Sequence, residues 1–311
     1  MVAATVAALA LGGCSLPDGG APAPASASPA DGVVTVTPTP EPPAAGPSAA
    51  TGRPVTRTVT ADGIEVLVSV PPTDAGAPVT VTPDEDGTSR LVLVLAAPQD
   101  VSARSGSAPG PTTGTGSPAA SALPATLDLV SPADGSLVRN SDGSLTVLDA
   151  AGTPLGGFSA PEATQVSGPA GRAAVVVVAP TRAEVHVQAE GATPSGTPDG
   201  AAPDDGAMPQ SVTVTTWLGA QGVRSATWGE REGGRSLAVD PTPWARQSGI
   251  VGEATVWAQL VASEPEAASR TMRDQLDCHT LGANDKTTWN LEPWRPDVGF
   301  LATAAARCNP T

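Results

Sequence analysis

Cys278-His279, Lys286, Trp289-Asn290-Leu291-Glu292-Pro293-Trp294-Arg295-Pro296 and Arg307-Cys308-Asn309-Pro310 are the residues from which the rest of the chain is best read. This stretch holds two of the three cysteines, one of the two histidines, the only lysine and two of the six tryptophans. All six tryptophans (Trp217, Trp228, Trp244, Trp257, Trp289, Trp294) follow residue 210, in a chain with no Tyr and two Phe. Large aromatic side chains supply much of a core's buried area, so the best-packed core is expected to be C-terminal.

Working back from that stretch, residues 211–311 read as one α+β domain. Val212–Trp217, Ser225–Trp228 and Arg235–Val239 have β-type composition. Asp240-Pro241-Thr242-Pro243-Trp244 then ends the run, because two prolines cannot continue a ladder. A helix is expected over about 252–262 with Ala254, Trp257, Leu260 and Val261 on one face. Ser263-Glu264-Pro265-Glu266 has capping-box spacing and an early proline, so a second helix is expected from there to about Leu281, with Gly282 as terminator. Ala268, Met272, Gln275 and His279 share a stripe on it, flanked by Leu276.

The opposite end reads as delivery apparatus. Residues 1–13 form an apolar run too short to span a bilayer, ending in Leu11-Gly12-Gly13-Cys14. That ending resembles the lipobox of bacterial lipoproteins, which implies a signal peptide over 1–13 and lipidation of Cys14. The expected location is extracytoplasmic, on the outer face of the cell membrane of a Gram-positive, actinobacterial-type bacterium, with the membrane a partner through Cys14. Residues 14–55, rich in Pro, Ala and Ser, are expected to be a disordered tether.

Residues 56–190 contain short β-type runs at 64–70, 79–81, 91–95, 125–130, 144–148, 173–178 and 184–188. Asp62-Gly63, Asp86-Gly87, Asp134-Gly135 and Asp142-Gly143 sit before or between them, which favours antiparallel hairpins. Residues 102–122 are expected to be a disordered insert and 191–210 a disordered linker. This all-β, Gly/Pro-interrupted region shows no polar cluster resembling a site and reads as a scaffold, with His186 a solvent-facing strand residue.

Charge narrows the function. The net charge is −15, and residues 211–311 carry 11 Asp and Glu against 9 Lys and Arg, so the leader holds most of the excess. Such a field opposes nucleic acid, which is excluded as a partner.

Cys278 and Cys308 are the cysteines left once Cys14 is lipidated, in a compartment that oxidises thiols. A disulfide is the default reading. The rival is a metal site with His279, but adjacent Cys and His on a helix point about 100° apart and make a poor ligand pair. No metal ligand set and no cofactor is assigned.

The pattern Trp228, Ser236-Leu237, Pro241-Thr242, Trp244, Arg246, Trp257, Met272-Arg273-Asp274-Gln275-Leu276, Cys278-His279, Lys286, Trp289 through Val298 and Arg307 through Pro310 resembles the secreted actinobacterial domain of unknown function 2599. The likeness covers roughly residues 217–310. It implies secretion and a compact C-terminal domain, and it brings no activity with it.

His279, Lys286, Trp289, Glu292, Trp294, Arg295 and Asp297 are the candidate binding or catalytic residues. An enzyme would use His279 as general base or acid oriented by Glu292 or Asp297, with Arg295 or Lys286 on an anionic group. Such a wall-directed hydrolase is one reading. A structural reading pairs Arg295 with a carboxylate, lets Asn290 and Asn309 bond backbone at turns, and places a charged His279 at the helix's C-terminal end. A binding reading stacks Trp289 and Trp294 on sugar rings. The expectation drawn is a non-enzymatic envelope module that binds cell-wall glycan or another envelope protein.

Overall fold

In the computed structural model, the described residues are 53–72, 78–96, 123–164, 171–189 and 211–311, all within the unit Ser48–Thr311. Cys14 and the expected signal segment, nearly all of the expected tether, and the expected insert over 102–122 and linker over 191–210 lie outside them.

Alternation and Asp-Gly turns produce the first part of the fold. Strands β1 (Val55–Ala61) and β2 (Ile64–Val70) form a hairpin through Asp62-Gly63, both at positive φ. β3 (Val79–Pro83) and β4 (Ser89–Ala96) form a second through Asp86-Gly87. In β2 every other residue is buried, from Ile64 through Val66 and Val68 to Val70, as expected of a strand with one face on a core. β5 (Ala125–Ser131), β6 (Ser136–Arg139), β7 (Leu145–Leu148), β8 (Pro154–Phe158), β9 (Glu162–Thr164), β10 (Gly171–Ala179) and β11 (Arg182–Ala189) follow. One sheet runs β1-β2-β5-β11-β10, with every pairing antiparallel.

The second sheet contains a strand expected elsewhere. β12 (Ser211–Gly219), read from sequence as the start of the C-terminal domain, is central in the order β3-β4-β12-β8-β7-β6 and also pairs with β9. Its alternation explains the placement: Val212, Val214 and Leu218 enter the core between the two sheets, while Trp217 turns toward the other core. That first core is built from Val, Leu, Ile and Ala, with Phe158 its one aromatic. Branched aliphatics therefore fill a core where the distribution of tryptophans pointed only to the C-terminal one.

The second core begins after it. β13 (Val223–Arg231), β14 (Gly234–Pro241) and β15 (Trp289–Leu291) form a three-stranded antiparallel sheet beside α1 (Pro243–Gln247), α2 (Ile250–Ser263), α3 (Arg270–Gly282) and α4 (Phe300–Ala305). Leu237, Val239, Trp244, Val256, Leu260, Met272, Leu276, Trp289 and Leu291 are buried together there. The described chain is thus mostly β with a few helices, and Cys278 and Cys308 are joined by a disulfide.

Two helix readings need correction. α3 begins at Arg270, not near Ser263: Ser269 accepts the Met272 N–H at 3.3 Å as its cap, and Pro265–Ala267 form a separate 3-10 turn. The Ser263 hydroxyl instead donates to the carbonyls of Gln259 and Leu260 and finishes α2. On α2 the buried residues are Val251, Gly252, Thr255, Val256 and Leu260, so of the expected face only Leu260 is deeply buried. Thr255 is accommodated because its hydroxyl donates to Val251 O at 2.7 Å, and Gly252 because a Cβ there would strike the Ala245 carbonyl of α1 at 2.1 Å.

Candidate functional site

α3 and β15 position His279. Of the expected stripe, Met272, Gln275 and His279 are buried with Leu276, whereas Ala268 precedes α3 and is exposed because the helix starts only at Arg270. β15 lays Trp289 and Leu291 inward opposite Val239 and Leu237. His279 is 3% exposed; its Nε2 lies 3.2 Å from Asn290 O and its Nδ1 has no partner. Nε2 must carry the proton to bond a carbonyl. Burial pushes its pKa down to about 4, the Asn290 bond opposing and the Lys286 charge assisting. The imidazole is therefore neutral at pH 7, which corrects the expectation of a charged cap. It lies parallel to Trp289 with ring centroids 6.4 Å apart.

Trp289 is fully buried, not a stacking platform, and donates Nε1–H to Ala283 O at 3.1 Å. The Arg246 guanidinium covers its ring at 5.1 Å while donating to the carbonyls of Asn284, Lys286 and Thr287. Arg246 thereby clasps the loop that leads into β15.

The Glu292, Trp294 and Arg295 side chains form a second group. Gln275 fixes its backbone by accepting the Glu292 N–H and donating to the Glu292 carbonyl, both at 2.9 Å. Arg295 is 4% exposed; its Nε donates to Glu292 Oε2 at 2.5 Å and its Nη2 to Glu232 Oε2 at 2.6 Å. Burial works against its charge, but the bonds to Glu292 and Glu232 outweigh that and hold its pKa up. Trp294 lies over this guanidinium at 4.4 Å and remains 44% exposed. Its ring rests on Gly234, where a Cβ would come within 2.3 Å.

Lys286 and Asp297 join neither group: Lys286 is exposed and Asp297 is 3.8 Å from Arg270. Neither Glu292 nor Asp297 is a hydrogen-bond partner of His279, so the acid-oriented histidine of the enzyme reading is not assembled.

A cleft of about 400 Å³ opens elsewhere, lined by Asp84, Asp86, Asp142, Glu162, Trp217 and Trp244 with Gln247 beside them. Asp86 accepts from the backbone and hydroxyl of Thr88, and Asp142 from those of Ser144, so two of the carboxylates are held rigidly by their own turns. Trp244 lies flat on Gly219, and its indole N–H has no acceptor. Sequence reasoning missed this cleft. The signal available was Asp-Gly-Thr at 86–88 and Asp-Gly-Ser at 142–144, which read as turns and not as a site. Among the described residues, no group of three or more His, Cys, Asp or Glu could hold a metal ion, and no helix is long and apolar enough to cross a membrane.

The family model described as Protein of unknown function (DUF2599) matches residues 223–311. The chain belongs to this family. Uncharacterized proteins of Mycobacterium tuberculosis and Mycobacterium bovis are each 36% identical to it over 110 residues, covering 33% of this chain and 67% of theirs. No solved structure matches it. The DUF2599 match opens at Val223, the first residue of β13, and takes in the second core with its sheet and helices. All seven candidate residues from His279 to Asp297 fall inside DUF2599. The cleft does not: Trp244 and Gln247 are contributed by DUF2599, whereas its carboxylates and Trp217 precede it.

Proposed function

We propose that this protein is a lipid-anchored module on the outer face of the cell membrane that binds cell-wall glycan in the cleft where DUF2599 meets the sandwich. The observation that carries the reading is the cleft lining, in which half-buried Trp217 and buried Trp244 stand beside four carboxylates and the Gln247 amide. Sugars present C–H faces that stack on an accessible indole, here Trp217 with buried Trp244 forming the floor beside it, and hydroxyls that donate to carboxylates, so this lining suits a saccharide. Asp86 and Asp142 are engaged by Thr88, Ser144 and Ile250, so Asp84 and Glu162 are the carboxylates offered to ligand hydroxyls. The Leu11-Gly12-Gly13-Cys14 ending supports the envelope location and the anchor through Cys14. Against a hydrolase built on His279 stand its burial and its bond to a backbone carbonyl instead of a carboxylate.

The test is retention of the full, oxidised chain on isolated wall fractions, with the supernatant assayed for released fragments. Retention lost in Glu162→Gln and Asp84→Asn, kept in Trp294→Ala and without release, is the expected result. Retention lost only in Trp294→Ala would move the site to the exposed indole. Fragments that vanish in His279→Ala would make the protein an enzyme, and the absence of both retention and release would point to a protein partner.

A further inference from the structure

Nine Lys and Arg residues lie in 211–311, and seven of the nine have a carboxylate within 4.0 Å. The two without one, Lys286 and Arg307, line the same groove. In a chain of net charge −15, which offers carboxylates in excess, a pair of cations left unneutralised around one concavity is a specific arrangement. Asp285, next to Lys286 in sequence, does not line the groove.

The groove has a volume of about 400 Å³, and its remaining wall is apolar: Leu281, Ala283, Phe300 and Ala304 with the disulfide at its base. Leu281 is 75% exposed at the end of α3. Arg307 is placed by backbone geometry as well as by sequence. It and Cys308 occupy left-handed conformations at φ 55° and 69°, uncommon for non-glycine residues, while Arg307 N–H and Cys308 N–H bond back to Ala304 O and Thr303 O. The disulfide fixes this turn against α3, so the guanidinium-bearing residue and the loop carrying Lys286 face a common wall.

We propose that this groove binds a long-chain carboxylate, its head between Lys286 and Arg307 and its chain along Leu281, Phe300 and Ala304. A carboxylate accepts charge-assisted hydrogen bonds from both cations, and an alkyl chain removes the apolar wall from water. Both halves of the ligand are required by the lining: a small inorganic anion leaves the wall exposed, and a neutral chain leaves the cations unpaired.

The experiment is calorimetric titration of the full, oxidised chain with dodecanoate below its micellar concentration, in parallel with dodecanol and with inorganic phosphate. The variants are Lys286→Gln, Arg307→Gln, their double, and Ala304→Phe, which fills the groove and keeps both charges. Saturable dodecanoate binding is expected, weaker by about tenfold for each charge removed and abolished by Ala304→Phe, with dodecanol and phosphate each at least about tenfold weaker. Circular dichroism of each variant establishes that it is folded before its titration is read. The inference is overturned if dodecanoate does not saturate, if the double variant binds as the wild type does, or if dodecanol or phosphate matches dodecanoate. Because none of these residues lines the DUF2599–sandwich cleft, the outcome is independent of glycan retention.

Discussion

Asp142, in a hairpin turn of the sandwich, accepts the backbone N–H of Ile250, the first residue of α2, at 2.8 Å. One half of the protein thus caps a helix of the other. Helix N-termini carry unpaired N–H groups and partial positive charge, and α2 has no side-chain cap of its own because Gly249 occupies that position. Gly249 is at φ 66°, and a Cβ there would lie 2.2 Å from Asp142 Oδ2. Asp142→Ala is expected to cost about 1–2 kcal/mol in urea denaturation, and Gly249→Ala a comparable amount. If Asp142→Ala leaves the midpoint unchanged, the cap does not join the two cores energetically.

The second prediction concerns the buried cation. Arg295 bridges Glu292, which is 1% exposed, and Glu232. Arg295→Met strands the Glu292 carboxylate without a counter-charge, and the expected loss is about 3–5 kcal/mol. Arg295→Lys keeps the charge but not the fork that reaches both carboxylates, so a substantial part of the loss is expected to remain. Equal stability of the lysine variant and the wild type would show that charge alone matters here.

Cys278 and Cys308 close a loop with a sequence separation of 30 that contains β15 and the Glu292 to Arg295 group. In the chain-entropy picture this cross-link contributes about 3–4 kcal/mol. Cys308→Ser is therefore expected to lower the denaturation midpoint. It should also raise hydrogen exchange at Cys308 N–H, which bonds Thr303 O in the oxidised protein. Exchange unchanged at that amide would mean the C-terminal turn holds itself without the disulfide.

What could be read in advance followed local chemistry. Asp62-Gly63, Asp86-Gly87 and Asp142-Gly143 sit at hairpin turns, and the alternation of β2 and β4 predicts their buried faces. The Met272 to His279 stripe was likewise visible as a period of three and four. Ser263 misled because two serines six residues apart both precede helical composition, and only the tertiary path decides which one caps. β15 and α4 were too short to show a period, and β15 is held by its pairing with β14. The cleft was illegible for a different reason: Asp84 and Glu162 are far apart in the chain and meet only through sheet order. His279 was recognised as unusual, but its partner is a backbone carbonyl, which no side-chain pattern can announce.

The last prediction separates two buried groups whose titrations oppose each other. Burial lowers the pKa of His279 from 6.5 to about 4. Between those values the unfolded chain binds a proton that folded His279 refuses, so its contribution is full above 6.5 and is lost as the pH falls toward 4. Glu253 on α2 behaves the other way. Burial, then the neighbouring Asp277 carboxylate of α3, push its pKa from 4.5 up to about 7, with Arg273 opposing. Folded Glu253 keeps a proton that the unfolded chain releases, so its contribution is present below 4.5 and is lost as the pH rises through 7. Over the shared range the two slopes offset, and wild-type stability is expected to change little between pH 7 and 5. Each variant exposes the other group. Glu253→Gln is expected to lose about 2 kcal/mol on going from pH 7 to 5, and His279→Gln to gain about as much, read from urea midpoints at each pH. Parallel pH profiles for the two variants would show that neither group titrates with folding, and that His279 and Glu253 are held by something other than the burial seen for them.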